Sequence, residues 1–206
     1  MKAWLKLALI GCVMAAVSVS LAEARVTRIE IEKTDWAFGG GSFGKSGPYQ
    51  LLTGHVVGEL DPADPANAII QDINLAPRNA RGMVEYKTPI EILKPADMAR
   101  GNHVLFFEVN NRGNKLALGA FDEGVTGGAA DRNALTSPGD GWLLRSGYTM
   151  VWFGWEMDVL PGMNRIGMPP VIAGNHDGSP VTGIVRSEMI TPVEAASLPI
   201  GLSQQI

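Results

Sequence analysis

Thr27, Ile29 and Ile31 interleave with Arg28, Glu30 and Glu32. A period of two sends alternate side chains to opposite faces, so this stretch predicts a half-exposed β-strand. "YQLLTGHVVGEL" from Tyr49, "AIIQDINLA" from Ala68 and "MVEYKTPIEILKP" from Met83 are three further strand candidates. The turn-rich stretches "DPADPAN" and "PRNARG" separate them. Residues 25–100 therefore read as an antiparallel β region.

The pattern changes after Arg100. Val104 to Val109 is almost continuously apolar, as expected of a strand buried on both faces. In "DGWLLRSGYTMVWFGWEMDVLP" the spacing predicts a short helix from Gly141 to Ser146, a stop at Gly147 and a second buried strand from Tyr148 to Trp155. Strand, helix and buried strand form a βαβ unit of a parallel sheet, covering 101–160. From Pro161 to Ile206 the chain returns to Gly/Pro-rich, β-like pieces such as "PPVIAG" and "TGIVRSEMI", read as a β-rich insertion that breaks off. The fold class expected is α/β with a large β component.

Composition sharpens this picture at three points. With 46% hydrophobic and 18% charged residues the chain is globular rather than disordered. A net charge of -4 gives no sign of a nucleic-acid partner. Twenty-five glycines and 13 prolines favour turns and short strands over a helical bundle.

Residues 1–24 read as an export signal. Lys2 and Lys6 precede an apolar run of small residues that leads to Ala22-Glu23-Ala24, with Ser20 to Ala22 as a second cleavage site. The run is short for a membrane span, so a cleaved leader is favoured over an anchor and no stable membrane insertion is expected after cleavage. "LIGC" at Cys12 resembles a lipobox, but the apolar run continues beyond it, which disfavours lipidation. A periplasmic or secreted protein is expected, and cleavage would leave it without cysteine.

Candidate chemistry is sparse. Gly40-Gly41-Ser42-Phe43-Gly44 spells G-x-S-x-G, the nucleophile elbow of serine hydrolases. An elbow needs a strand before the serine and a helix after it. Here Gly47-Pro48 follows and opposes a helix, so Ser42 reads as part of a β–β connection. His55, His103 and His176 are scattered, and His176 sits in Asn/Asp/Gly turn chemistry. They make a poor metal site, and no cofactor is expected. Asp61 and Asp64, between prolines, read as a solvated turn rather than a calcium loop. Trp142, Trp152, Phe153 and Trp155 could stack a ligand, but core packing is favoured.

Three stretches taken together carry a resemblance: "APRNARG", "EVNNRG" and "GYTMVWFGW". From about Val26 onward the chain resembles the exported bacterial proteins called alpha/beta hydrolase domain-containing proteins. The resemblance implies that residues 101–160 open an alpha/beta-hydrolase-like sheet. Family members are much longer. The chain is thus expected to be an N-terminal part, inactive alone, with the nucleophile and its acid and histidine partners beyond Ile206. The implied activity is hydrolysis of a small ester-like substrate or related acyl compound. In such enzymes the loop after the corresponding strand donates a backbone N–H to the oxyanion hole. That makes Asn111, Arg112 and Gly113 the oxyanion-loop candidates, with Gly113 allowing close backbone approach. The same residues also fit a structural loop. A non-catalytic periplasmic binding or structural module is the alternative, and a fragment of a truncated gene is a third.

Overall fold

The computed structural model describes residues 25–124 and 135–184. The expected leader at 1–24, with Cys12, and most of "TGIVRSEMI" lie outside the described residues. Six strands run in chain order: β1 (Arg25–Trp36), β2 (Ser42–Phe43), β3 (Gly47–Leu60), β4 (Val84–Pro95), β5 (Leu105–Glu108) and β6 (Thr149–Phe153). Two short helices join them, α1 (Ala117–Phe121) and α2 (Trp142–Arg145). The order across the sheet is β1-β3-β4-β6-β5, with β2 paired to β3 off this path. β1/β3, β3/β4 and β4/β6 are antiparallel, and β5/β6 is parallel. The molecule is thus a mixed sheet with few helices.

β1, β3 and β4 pair antiparallel, as expected of 25–100, but β1 buries neither face: Ile29 and Ile31 are as open to solvent as the charged residues around them. One face of the sheet gathers Tyr49, Leu93, Met150 and Trp152 beneath Leu118 of α1 and Leu143 and Leu144 of α2. Each buried leucine of this kind contributes about 1.5–3 kcal/mol. The Tyr49 hydroxyl lies 3.0 Å from the carbonyl oxygens of both Leu144 and Tyr148, tying β3 to the turn after α2. Gly147 ends α2 as expected: at φ 80 it turns the chain in the left-handed region and its N–H bonds to Leu144 O at 3.0 Å. The opposite face carries Val56, Ile90 and Val151, flanked by Ile92 and Phe153.

Four expectations are corrected. Residues 68–76 form no strand. Asp64 caps a 3₁₀ turn at Pro65–Asn67, and further i→i+3 bonds carry the chain on through Ile70 and Ile73. Only Ile73 is buried there, while Ile69 is 90% exposed. β5 is not buried on both faces, since Leu105 and Phe107 are 58% and 53% exposed. The reason is topological: β6 inserts between β4 and β5, which leaves β5 at the edge of the sheet and β6 inside it. Core packing holds for Trp152 but not for Trp142 and Trp155, which are about half exposed. "PPVIAG" forms no strand, because the turn at Asn175–Ser179 draws the chain into an isolated bridge between Gly174 and Pro180.

Candidate functional site

β5 and β6 run parallel, so their carboxyl ends lie together and the loops that follow them meet there. In open α/β sheets this end of the strands is where ligands bind. The site is built on a row of register-matched residues, Glu91 on β4, Trp152 on β6 and Glu108 on β5. Glu108 accepts three hydrogen bonds. Leu116 N donates at 2.5 Å, Ala117 N at 2.8 Å and Trp152 Nε1 at 2.5 Å. One carboxylate thereby fixes the start of α1 and the orientation of the buried tryptophan, with the charge placed where a helix N-terminus favours it. Lys115 completes the layer. Its ammonium donates to Glu91 Oε2 at 2.6 Å and lies 5.9 Å from the Trp152 ring centroid.

The loop between Glu108 and Lys115 is held at both ends. Asn110 is 1% exposed. Its Nδ2 donates to Phe153 O at 2.8 Å, and its own carbonyl accepts from Trp155 Nε1 at 2.9 Å. Asn111 and Asn114 then close a tight turn, with Asn111 N donating to Asn114 O at 3.2 Å and Asn114 N to Asn111 O at 2.9 Å. Arg112 and Gly113, at φ 52 and 77, supply the two positive φ values that a type I′ turn requires.

The turn aims its groups in distinct directions. Arg112 Nη1 donates to Asp158 Oδ2 at 2.8 Å and Nη2 to Asp158 O at 3.3 Å, with Glu156 Oε1 at 3.9 Å. The bond to Asp158, then that carboxylate's charge, pushes the guanidinium pKa up. Gly113 is buried, and its carbonyl accepts from Ile166 N at 3.0 Å. A Cβ at this position would stand 2.8 Å from Val159 Cγ1 and 3.0 Å from Arg165 Cβ. What approaches Gly113 is therefore the chain itself, through 159–166. The main-chain N–H groups of Arg112 and Gly113 make no hydrogen bond among the described residues, whereas that of Asn111 is engaged. Asn110 Oδ1, Glu156 Oε2 and Arg165 Nε are buried without a hydrogen-bond partner around the same loop.

The other candidate residues stand apart. Ser42 is exposed on the two-residue β2, and a single 3₁₀ turn, Gly44–Ser46, follows it instead of a helix. No hydrogen bond joins Ser42 to a histidine among the described residues. His55 Nδ1 lies 2.7 Å from Glu32 Oε1 across β1 and β3. His103 and His176 are exposed, the latter in the Asn175–Ser179 turn. Asp61 and Asp64 accept from the N–H groups of Ala63 and Ala66, both at 2.8 Å, which is turn capping. Among the described residues no group of three or more His, Cys, Asp or Glu side chains could hold a metal ion. None of their helices is long and apolar enough to cross a membrane.

Sequence reasoning missed Glu91, Glu108, Lys115 and Asp158. The signal for two of them was present: Glu91 and Glu108 interrupt the apolar runs "IEIL" and "LFFEV". A carboxylate in such a run marks a buried partner. The "APRNARG" stretch has a structural task, since Asn79 and Arg81 hold the buried Glu59.

The chain matches no family model, no curated protein and no solved structure.

Proposed function

We propose that this chain is the N-terminal portion of an exported serine-type alpha/beta hydrolase acting on a small ester-like substrate. In this reading β5, α2 and β6 open the hydrolase sheet, and the Asn111-Arg112-Gly113 turn supplies an oxyanion donor. One observation carries it. The turn sits at the carboxyl end of β5 with two N–H groups unengaged, and β5 has no neighbour on its outer side among the described residues. A further parallel strand beside β5 would lie about 4.8 Å away and end next to this turn. A nucleophile at the end of that strand would bring its acyl oxygen toward those N–H groups, the geometry that oxyanion stabilisation requires. Leu105 and Phe107 on one face of the edge strand, with Leu116 and Phe121 on the α1 side, are the exposed apolar surface such a continuation would cover.

The same loop also supports a non-catalytic binding or structural module. Arg112 is anchored by Asp158 and Gly113 is enclosed by the chain, as in a loop that only closes a fold. Activity separates the two. The isolated 206-residue chain should hydrolyse no short p-nitrophenyl ester above buffer, because among the described residues no histidine is hydrogen-bonded to a serine. The polypeptide extended by its downstream reading frame should hydrolyse it. There, Asp158→Ala should lower kcat about tenfold with KM little changed, since it frees the turn without touching bound substrate. Hydrolysis by the isolated chain that is lost in Ser42→Ala would overturn the proposal. An inert extended polypeptide would favour the module.

A further inference from the structure

Arg25, the first described residue, lies in β1 and follows Ala22-Glu23-Ala24 in the sequence. In the antiparallel register of β1 with β3, Arg25 lies opposite Glu59. Glu59 is 2% exposed, a rare setting for a carboxylate. One of its oxygens is served: Oε1 accepts from Asn79 Nδ2 at 2.6 Å and from Arg81 Nη2. Oε2 is buried and has no hydrogen-bond partner among the described residues. The Arg25 guanidinium approaches it only to 3.9 Å, beyond hydrogen-bond distance. A buried carboxylate oxygen without a donor is strongly unfavourable, so although Arg81 and Arg25 both pair with Glu59, Oε2 would gain from a donor closer than the Arg25 guanidinium.

We propose that Glu59 is the receptor for a processed N-terminus: cleavage between Ala24 and Arg25 frees an α-ammonium on Arg25 that docks on Glu59 Oε2. The inference rests on the export reading. In the cleavage step a leader peptidase adds water across the Ala24–Arg25 amide. The C–N bond breaks, the hydroxyl goes to the Ala24 carbonyl carbon, and the nitrogen leaves as an amine that is protonated at neutral pH. The reach is sufficient. Opposed Cα atoms in an antiparallel pair are about 4.5–5.5 Å apart, and the nitrogen is about 1.5 Å from its Cα, within the span of a glutamate side chain. An ammonium also offers three donors where the intact amide offers one. The surrounding charges are Arg25 on β1, Arg81 in the loop before β4, Arg28 on β1 and Glu85, which faces Glu59 from β4. Processing would thus lock β1 onto β3 and make the mature fold more stable than a form with residues left before Arg25.

The pH dependence follows from the amine. An α-amino group titrates near about 8, and pairing with Glu59 raises that value in the folded state. The added stability is fully present below about pH 8 and is lost as pH rises through the raised value. The test uses the full chain with its leader, exported in a bacterial host and recovered from the periplasm. Ala24→Leu removes the small residue before the cut and shifts cleavage to the site after Ala22, leaving two extra residues. Intact mass should place the wild-type N-terminus at Arg25. Its Tm at pH 7 should exceed that of Ala24→Leu by at least about 3 °C, with the gap closing by about pH 10. Glu59→Gln in both backgrounds should erase the gap, and the pH series decides the matter even if that variant folds poorly. A Met1 N-terminus would sink the export reading and this inference with it. An Arg25 N-terminus with no gap, or with one that ignores pH, would overturn the Glu59 assignment alone.

Discussion

Gly113 shows how the backbone need of a single residue can be legible while its surroundings are not. The sequence "NNRG" announces a backbone position that needs a positive φ, and the structure places Gly113 at φ 77. What a glycine lets in is a matter of tertiary packing, and here it is Val159, Arg165 and the Ile166 N–H. Gly113→Val should therefore act on folding. Overpacking and a β-branched residue at positive φ together cost about 2–4 kcal/mol. A drop in the urea midpoint at unchanged m-value is the expected result, and a midpoint equal to wild type would mean that 159–166 does not pack on the turn. Glu108 is the complementary case. Its place in an apolar run was visible, but its three donors come from residues 116, 117 and 152, and no local pattern brings those together.

At the scale of elements, β1, β3 and β4 were legible as strands from their patterning and the turns that bound them, although β1 buries neither face. The helix, glycine stop and strand at 141–155 were legible because Gly147 divides two apolar segments. Alternation fails where burial depends on neighbours. An apolar run reads alike in a central strand and in an edge strand such as β5, and "AIIQDINLA" follows the Asp64 cap and Pro65 into turns. The α1–α2 junction was not legible at all. There Asp122, buried at the end of α1, accepts from Leu143 N at 2.9 Å through Oδ1, while Oδ2 is without a hydrogen-bond partner. Burial pushes its carboxyl pKa up, the Leu143 N–H opposes the shift, and the Asp140 charge adds to it. The folded state thus holds this proton more tightly than the unfolded one. Its contribution to stability is fullest below the unfolded value of about 3.9 and declines as pH rises through the folded value. Asp122→Asn retains the acceptor for Leu143 and removes the titration. Urea midpoints should show the variant gaining on wild type between about pH 4 and pH 7. A difference that stays constant over that range would refute the assignment.

For the whole molecule the sheet order matters most. The apolar runs 104–109 and 148–155 both predict strands buried on two faces; in the described structure β6 lies inside the sheet and β5 at its open edge. That order puts the unpaired edge on the strand that carries the Asn111-Arg112-Gly113 turn, so that one additional strand would meet both the exposed Leu105 and Phe107 and the unengaged N–H groups. Strand order was not legible because it depends on which edges pair at a distance, and hydrophobic pattern does not encode that. The account of function stands on this arrangement and on a serine supplied from outside residues 1–206. The most direct test is to treat the protein, expressed with its downstream reading frame, with a fluorophosphonate probe and to map the modified residue by mass spectrometry. The account predicts one labelled serine, located after Ile206 and protected by a short ester substrate. Labelling at Ser42, or no labelled serine in a folded and secreted protein, would contradict it.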